Sequence, residues 1–505
     1  MSSITKLRNS TPWLLRVAFI LIFLFGIILR FVLYFQNRNL IIDEANIVRN
    51  LAERGFLALT QPLSYEQYAP PVFLWIEKLS SILFGYSEYA MRGFPLLCGI
   101  AALYVFYRIG SKLMSQTALL APFALFAFGN MYVKFSTELK QYMPDTLVAL
   151  ILVWAALCWD FQSLKKKTFV LRWALLGSFA IWMSMPSVFI LAGIGCYYAW
   201  PLLREKKLRQ IGPLVAVAAV WLLQFALYYL VILRTQIGSD YLQNYHRPYF
   251  LYATPANQEE WMHNWTRFTE LLGNVGGFDK KAMLLNGLFM VLGAVLLLIR
   301  KTRNFFLIAF PVMLVFIAAA LKQFSLIERV VLFMMPLWLL LIGCGLDLLV
   351  QKKLGATTIL IGAFLVWSYN AFWLFHEKLG FHEITEGMAW IRARGAKGSE
   401  LYVHDANVPT YIYYTELHPK RAQWSSLFGA HKLKWSDDYK EITAPIKDTA
   451  YFLYTGGFPE GEKNKRTAEI ETHMRQVGYF EKYICYVYVY VPKADSGASS
   501  GTTPN

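Results

Sequence analysis

Cysteine is scarce in this chain and scattered. Five occur in 505 residues; Cys98, Cys158, Cys196 and Cys344 sit in apolar stretches and Cys485 stands alone in the polar C-terminal part. No CxxC or metal-type spacing is present, and the pattern offers no disulfide framework. Charge is also scarce: 16% of residues are charged, against about a quarter in soluble proteins. Acids are the rarer sign, 33 against 49 basic residues, for a net charge of +16. A nucleic-acid-binding protein would carry that excess as a basic stripe on a soluble fold. Here Lys and Arg fall in short clusters between apolar runs, as they do in cytoplasmic loops. There is no G-x-G-x-x-G and no Walker sequence, which argues against a soluble nucleotide-sugar enzyme. No internal repeat stands out. The first apolar run has no clear small-residue cleavage site and reads as a retained helix.

What the chain has in quantity is apolar sequence, 56% of all residues. It predicts a polytopic α-helical membrane protein with about eleven spans. They fall near 12–35, 90–110, 116–133, 142–160, 169–184, 187–203, 211–233, 281–299, 304–321, 329–350 and 355–375. "PPVFLWIEKLSSILFG", which carries Glu77 and Lys78, reads as an interfacial helix. Basic residues precede the first span (Lys6, Arg8) and follow the second (Arg108, Lys112). They follow the fourth (Lys165, Lys166, Lys167), the sixth ("REKKLR"), the eighth ("RKTRN") and the tenth ("QKK"). All lie on one side if the N-terminus is cytoplasmic. The outer side then receives the long loops 36–89 and 234–280, "KFSTELKQY", "KQFSLIE" and everything beyond the last span.

The domain reading follows. Residues 1–378 form the transmembrane catalytic part, 379–492 an extracytoplasmic α/β domain, and 493–505 a Ser/Gly/Thr-rich disordered tail. In the α/β part, "ITEGMAWIRARG" has helical spacing, and "ELYVHD", "AYFLYT" and "YICYVYVYVP" look like strands. "NKRTAEIETHMRQVGY" reads as a helix ending near Gly478.

Several polar groups gather at the outer ends of these helices. Asp43 and Glu44 follow the first span and Arg92 begins the second. "FSTELKQYMPD" supplies Glu138, Lys140, Tyr142 and Asp145; "FSLIERVVLFMMP" supplies Glu328 and Arg329; and "SYEQYAPP" brings Tyr68. A charge near hydrocarbon is costly and has a partner or a task. Transfer of a group from a lipid phosphate would use such a set: a carboxylate takes a proton from an acceptor, and Lys or Arg stabilises the departing phosphate. Each residue also has a plainer reading. Asp43 is a good helix N-cap, Glu138 and Lys140 could be solvated loop charges, and Arg92 and Arg329 could be snorkelling anchors. "DYLQNYHRPYF" could contact a sugar or lipid, or form part of an interfacial aromatic belt.

"IIDEANIVRNLAERGF", "YAPPVFLWIEKLSSILFGYSEYAMRGFPLLCGI", "FSTELKQYMPDTLVAL" and "ERVVLFMMPLWLLL", taken in order, resemble the membrane-embedded GT-C glycosyltransferases. The similarity is to the bacterial branch that contains the lipid A aminoarabinose transferase and, more distantly, to protein O-mannosyltransferases. It covers about residues 12–375. The resemblance implies a transferase that moves a sugar from a polyprenyl-phosphate donor to an extracytoplasmic lipid, glycan or protein acceptor, with inversion. It implies a carboxylate at Asp43 that acts as catalytic base or orients the acceptor, with Glu44 beside it, and a second acidic residue at Glu138, with Asp145 its competitor. It implies donor-phosphate contacts at Lys140, Arg92 and Arg329, with Tyr68, Tyr142 and Glu328 as further substrate contacts. Lys140 stands where many relatives have Arg, which weakens bidentate phosphate binding there. Some branches use a divalent metal, which Asp43, Glu44 and Glu138 could hold; no cofactor beyond that is expected. The implied location is a bacterial inner membrane with the site facing the periplasm, and no nucleic-acid partner. The rivals from other classes are a flippase for lipid-linked substrates, which would favour ionisable groups near the midplane and inverted repeats, and a non-catalytic envelope assembly protein.

Overall fold

A computed structural model describes residues 13–161, 165–234, 240–276, 280–351, 383–395, 398–424, 430–432, 446–456 and 467–493. The expected span at 355–375 and the expected tail lie outside the described residues, apart from Lys493. The chain divides into two compact units. The first comprises 1–36, 54–80 and 91–377; the second comprises 37–53, 81–90 and 378–505.

In the first unit the apolar runs become helices, since a buried or lipid-facing backbone must satisfy its own hydrogen bonds. These are α1 (Trp13–Phe35), α4 (Glu88–Leu113, entering from the second unit), α5 (Gln116–Phe128), α6 (Asn130–Phe135) and α7 (Tyr142–Cys158). They continue as α8 (Lys166–Met183), α9 (Ser187–Arg204), α10 (Gly212–Tyr228), α13 (Lys280–Arg300), α14 (Thr302–Ala320) and α15 (Met335–Gln351). Shorter or more polar elements fill the connections: α3 (Pro71–Phe84), α11 (Asp240–His246) and α12 (Gln258–Gly276). Among the described residues six helices are long and apolar enough to cross a membrane: Trp13–Phe35, Glu88–Leu113, Ser187–Arg204, Gly212–Leu233, Thr302–Ala320 and Leu332–Val350. Gln116–Phe128, Tyr142–Cys158 and Asn286–Arg300 are apolar but shorter. The expected span at 169–184 forms α8, which opens on Lys166 and Lys167. In α10 only Val217 and Tyr228 are buried, and α1 exposes Leu14, Ile20, Leu21, Leu24 and Ile28. Faces this apolar and this exposed are at home against lipid, not water.

Two details show how tightly the unit is built. Gly293 of α13 and Gly345 of α15 meet so closely that a Cβ on Gly293 would lie 1.9 Å from the Leu341 carbonyl oxygen; small residues at a helix crossing permit that approach. The chain breaks between α5 and α6 at Gly129, leaving carbonyls at the end of α5 without helical partners. Arg30 of α1, fully buried, donates to the Ala127 carbonyl (2.9 Å) and Ser136 Oγ (3.2 Å), besides Gly26 of its own helix.

The second unit joins α2 (Ile42–Glu53) and the 81–90 corner to a five-stranded sheet ordered β2-β1-β3-β5-β4. Its strands are β1 (Glu400–Val403), β2 (Ala430–Lys432), β3 (Ala450–Thr455), β4 (Met474–Lys482) and β5 (Cys485–Pro492). β1 lies parallel to β2 and β3; β5 runs antiparallel to β3 and β4. Helix α16 (Ile384–Arg394) covers the sheet, with Trp390 against Tyr451 and Phe480. Helix α17 (Val408–Ile412) packs on α2. The core is tyrosine-rich: Tyr402 stacks on Phe452 at 4.8 Å, and Tyr454, Tyr488 and Tyr490 surround them. Here one expectation is corrected. Residues 474–482 are strand, not the end of a helix. Val477, Tyr479 and Phe480 favour a pleated surface, and the tight turn at Tyr483 and Ile484, both with positive φ, folds β4 back on β5. The register shifts between Gln476 and Gly478, an irregularity no periodicity count would reveal.

Candidate active site

In the first unit the loop 61–70 delivers the leading polar groups. Tyr65 and Glu66 both adopt left-handed backbone conformations, φ 66° and 52°. Such strain in a non-glycine pair persists only where the surroundings enforce it. The next two residues are the ones that point inward: Gln67 is buried and its Oε1 accepts from Lys140 Nζ at 2.8 Å. Tyr68 Oη lies 2.5 Å from Tyr228 Oη. Asp145 acts electrostatically on both tyrosines, and Ser184 sits beside its carboxyl. Burial, then Tyr228 and then Asp145, push the Tyr68 hydroxyl well above its usual range. It therefore stays protonated and works as a neutral donor or acceptor, not as a base.

Lys140 and Asp145 both come from the turn that opens α7, and both are buried. A buried lysine side chain lies in low-dielectric surroundings, where a positive charge would act strongly on a neighbouring anion. Glu138 is buried too and lies 3.8 Å from Lys134 on the preceding turn. Arg92 is buried near the start of α4. Tyr142 packs its ring edge-on against Phe135. Arg329 donates to Tyr245 Oη at 2.5 Å and lies over the same ring; Glu328 is half-buried beside it. The segment after them, Leu332–Met334, packs on α7.

In the second unit Asp43 and Glu44 occupy the first turn of α2, and they differ. Glu44 is buried, and its Oε2 accepts the Ile41 backbone N–H at 3.1 Å. That is the reach-back half of a capping box. Glu44 caps the start of the helix in this way, and Asp43 beside it is half-exposed. Behind α2 lies a network that sequence reasoning missed. Tyr414 Oη donates to Glu88 Oε1 at 2.6 Å, and His418 Nε2 meets Glu88 Oε2 at 3.2 Å. In the orientation that satisfies its amide, Asn39 donates to Tyr414 Oη (2.9 Å) and accepts from the Ile384 and Thr385 N–H groups at 3.0 Å. Leu40 N–H also donates to Tyr414 Oη. The network ties the entrance of α2 to the start of α16.

Among the described residues no group of three or more His, Cys, Asp or Glu side chains is arranged to hold a metal ion. Glu44 is spent on its cap and Glu138 has a lysine partner.

Residues 68–229 match the family of dolichyl-phosphate-mannose-protein mannosyltransferases. That stretch opens on Tyr68 and contains Arg92, Glu138, Lys140, Tyr142, Asp145 and Tyr228. No curated protein matches the chain. ArnT from Cupriavidus metallidurans bound to undecaprenyl phosphate resembles it with a TM-score of 0.53 at 14% identity, over 98% of this chain and 100% of that one. ArnT from the same organism in the apo state gives 0.54 at 13% identity, over 93% and 97%. The chain has the ArnT fold. The resemblance expected from the ordered motifs thus holds at the level of architecture, along both the helical part and the sheet-containing part. In this ArnT-like chain Gln67, Tyr228 and Ser184 are the site neighbours that sequence reading passed over. Two signals were present. Gln67 lies inside the singled-out "SYEQYAPP", and α10 widens into a π-helix at Tyr229–Leu233, directly after Tyr228. Such bulges often mark functional positions.

Proposed function

We propose that this protein is an integral membrane glycosyltransferase that moves a sugar from a polyprenyl-phosphate donor to an extracytoplasmic acceptor. The observation that carries the reading is the ArnT fold shared along 98% of the chain, with a mannosyltransferase family match over the stretch that holds Lys140 and the Tyr68–Tyr228 contact. The donor class follows the undecaprenyl phosphate bound in that ArnT structure. The membrane part has eleven spans with the N-terminus inside, and the α/β domain lies outside.

The reaction is a direct displacement. Asp43 takes the proton of an acceptor hydroxyl or amine. The acceptor atom attacks the anomeric carbon as the bond from that carbon to the phosphate oxygen breaks, inverting the centre and releasing polyprenyl phosphate. Lys140, Arg92 and Arg329 stabilise the charge that the leaving phosphate gains. Glu138 positions the acceptor or supports the basic group. Tyr68, neutral throughout, hydrogen-bonds substrate oxygens. Asp43→Asn, inserted normally in the membrane, is expected to lose sugar transfer by about 100-fold or more. The check is mass spectrometry of envelope lipids and glycans with and without the protein. A difference of one sugar that vanishes in Asp43→Asn supports the proposal. Full transfer by that variant removes Asp43 from the mechanism. No glycan difference at all would favour transport or assembly.

A further inference from the structure

Apart from Tyr245, which meets Arg329, the tyrosine-rich stretch after α10 has no part in the chemistry above, yet it walls a cavity of about 370 Å³ in the first unit. Gln243, Asn244, Arg247, Phe250 and Tyr252 line it together with Lys322, which follows the end of α14. The walls are fixed by backbone bonds. Leu251 N–H donates to the Ala319 carbonyl (3.3 Å) and Leu326 N–H to the Tyr249 carbonyl (3.1 Å). His263 of α12 meets the Phe250 carbonyl at 2.9 Å, and Tyr252 exchanges two 2.9 Å bonds with Asn264 of α12.

Lys322 is placed deliberately. Helix α14 ends with Gln323 N–H on the Ala318 carbonyl and Lys322 N–H on the Ala319 carbonyl. This is a Schellman motif, whose left-handed position is normally glycine. Here that position, φ 59°, is a lysine, so a charged side chain is kept at a strained site on the cavity rim. Arg247 brings a second basic side chain to the same lining, and neither forms a salt bridge among the described residues. Two cations with two side-chain amides suit a phosphate ester; Phe250 and Tyr252 suit the carbon skeleton that carries it. On the outside of α12, Trp261 and Trp265 are more than half exposed one helical turn apart, as side chains at the headgroup level of a bilayer are.

We propose that this cavity binds the phosphate ester of an anionic lipid headgroup, with Arg247 and Lys322 meeting the phosphate and Trp261 and Trp265 seated among the neighbouring headgroups. The inference rests on the helical unit lying in a bilayer and is independent of sugar transfer. The test is calorimetric titration of the full chain in detergent with dioctanoyl phosphatidylglycerol, dioctanoyl phosphatidylcholine and glycerol 3-phosphate. Saturable, salt-sensitive binding of the phosphatidylglycerol is expected, weaker by ~100-fold in Arg247→Gln/Lys322→Gln because each lost charged contact weakens binding by at least a factor of ten. Arg247→Lys should keep most of it. Equal binding by the double variant, or binding indifferent to salt, overturns the site. If glycerol 3-phosphate binds as tightly as the lipid, the phosphate contacts stand and the lipid source is overturned. Loss of sugar transfer in Asp43→Asn leaves this outcome untouched.

Discussion

At the scale of single residues, burial separates groups that look alike on paper. Glu77 of α3 is fully buried, and neither carboxylate oxygen has a hydrogen-bond partner among the described residues. Burial alone pushes its carboxyl well above the ordinary carboxylate range, which favours its neutral form. The folded state therefore binds a proton that the unfolded chain gives up above about pH 4.3. Its contribution to stability is intact below that pH and is lost as pH rises. Glu77→Gln should thus melt at the same or a higher temperature than the parent at pH 7, and the difference should close near pH 4. Thermal unfolding in detergent at the two pH values checks this; a lower melting temperature for Glu77→Gln at pH 7 would mean the carboxylate is charged and paired. Lys140 is a different case, a buried basic side chain with an amide partner. Lys140→Gln is expected to lower kcat/KM for sugar transfer by roughly 100-fold, with Lys140→Arg recovering part. The asymmetry between Asp43 and Glu44 is also a residue-scale result: two adjacent acids, one used as a cap and the other left half-exposed.

At the scale of elements, close approach and helix ends carry the argument. Gly293→Leu would drive a side chain into the Leu341 carbonyl, separating α13 from α15, so we expect loss of the folded protein's peak in size-exclusion chromatography. Arg30→Leu would leave the end of α5 with unsatisfied buried carbonyls, a destabilisation on the order of 3 kcal/mol, measurable as a lower melting temperature with little change in inserted amount. Helices were largely legible from the chain, because a long apolar run dictates a helix whatever surrounds it. Strand β4 was not: its alternation is imperfect, and its state depends on pairing with β5 across the Tyr483–Ile484 turn. The Schellman end of α14 was equally hidden, since a lysine there gives no glycine signal.

At the scale of the whole molecule, the distribution of basic clusters predicts sidedness. In intact cells a membrane-impermeant maleimide should label a cysteine placed at Lys482, on the exposed edge strand β4, in a background without native cysteines. A cysteine at Lys166 should react only after permeabilisation. The reverse pattern would invert the topology and with it the location of the proposed site.

The sequence by itself determined the helical, lipid-facing class, the order of the helices, the α/β character of the C-terminal part and the polar positions worth watching. These follow from composition and local periodicity, which act over a few residues. Tertiary structure decided who meets whom. Lys140 finds Gln67 across 73 positions, Tyr68 finds Tyr228 across 160, and Asn39 finds Tyr414 across 375. No local rule spans such distances: these pairs arise because packing the helices and the sheet buries polar groups that must then be satisfied.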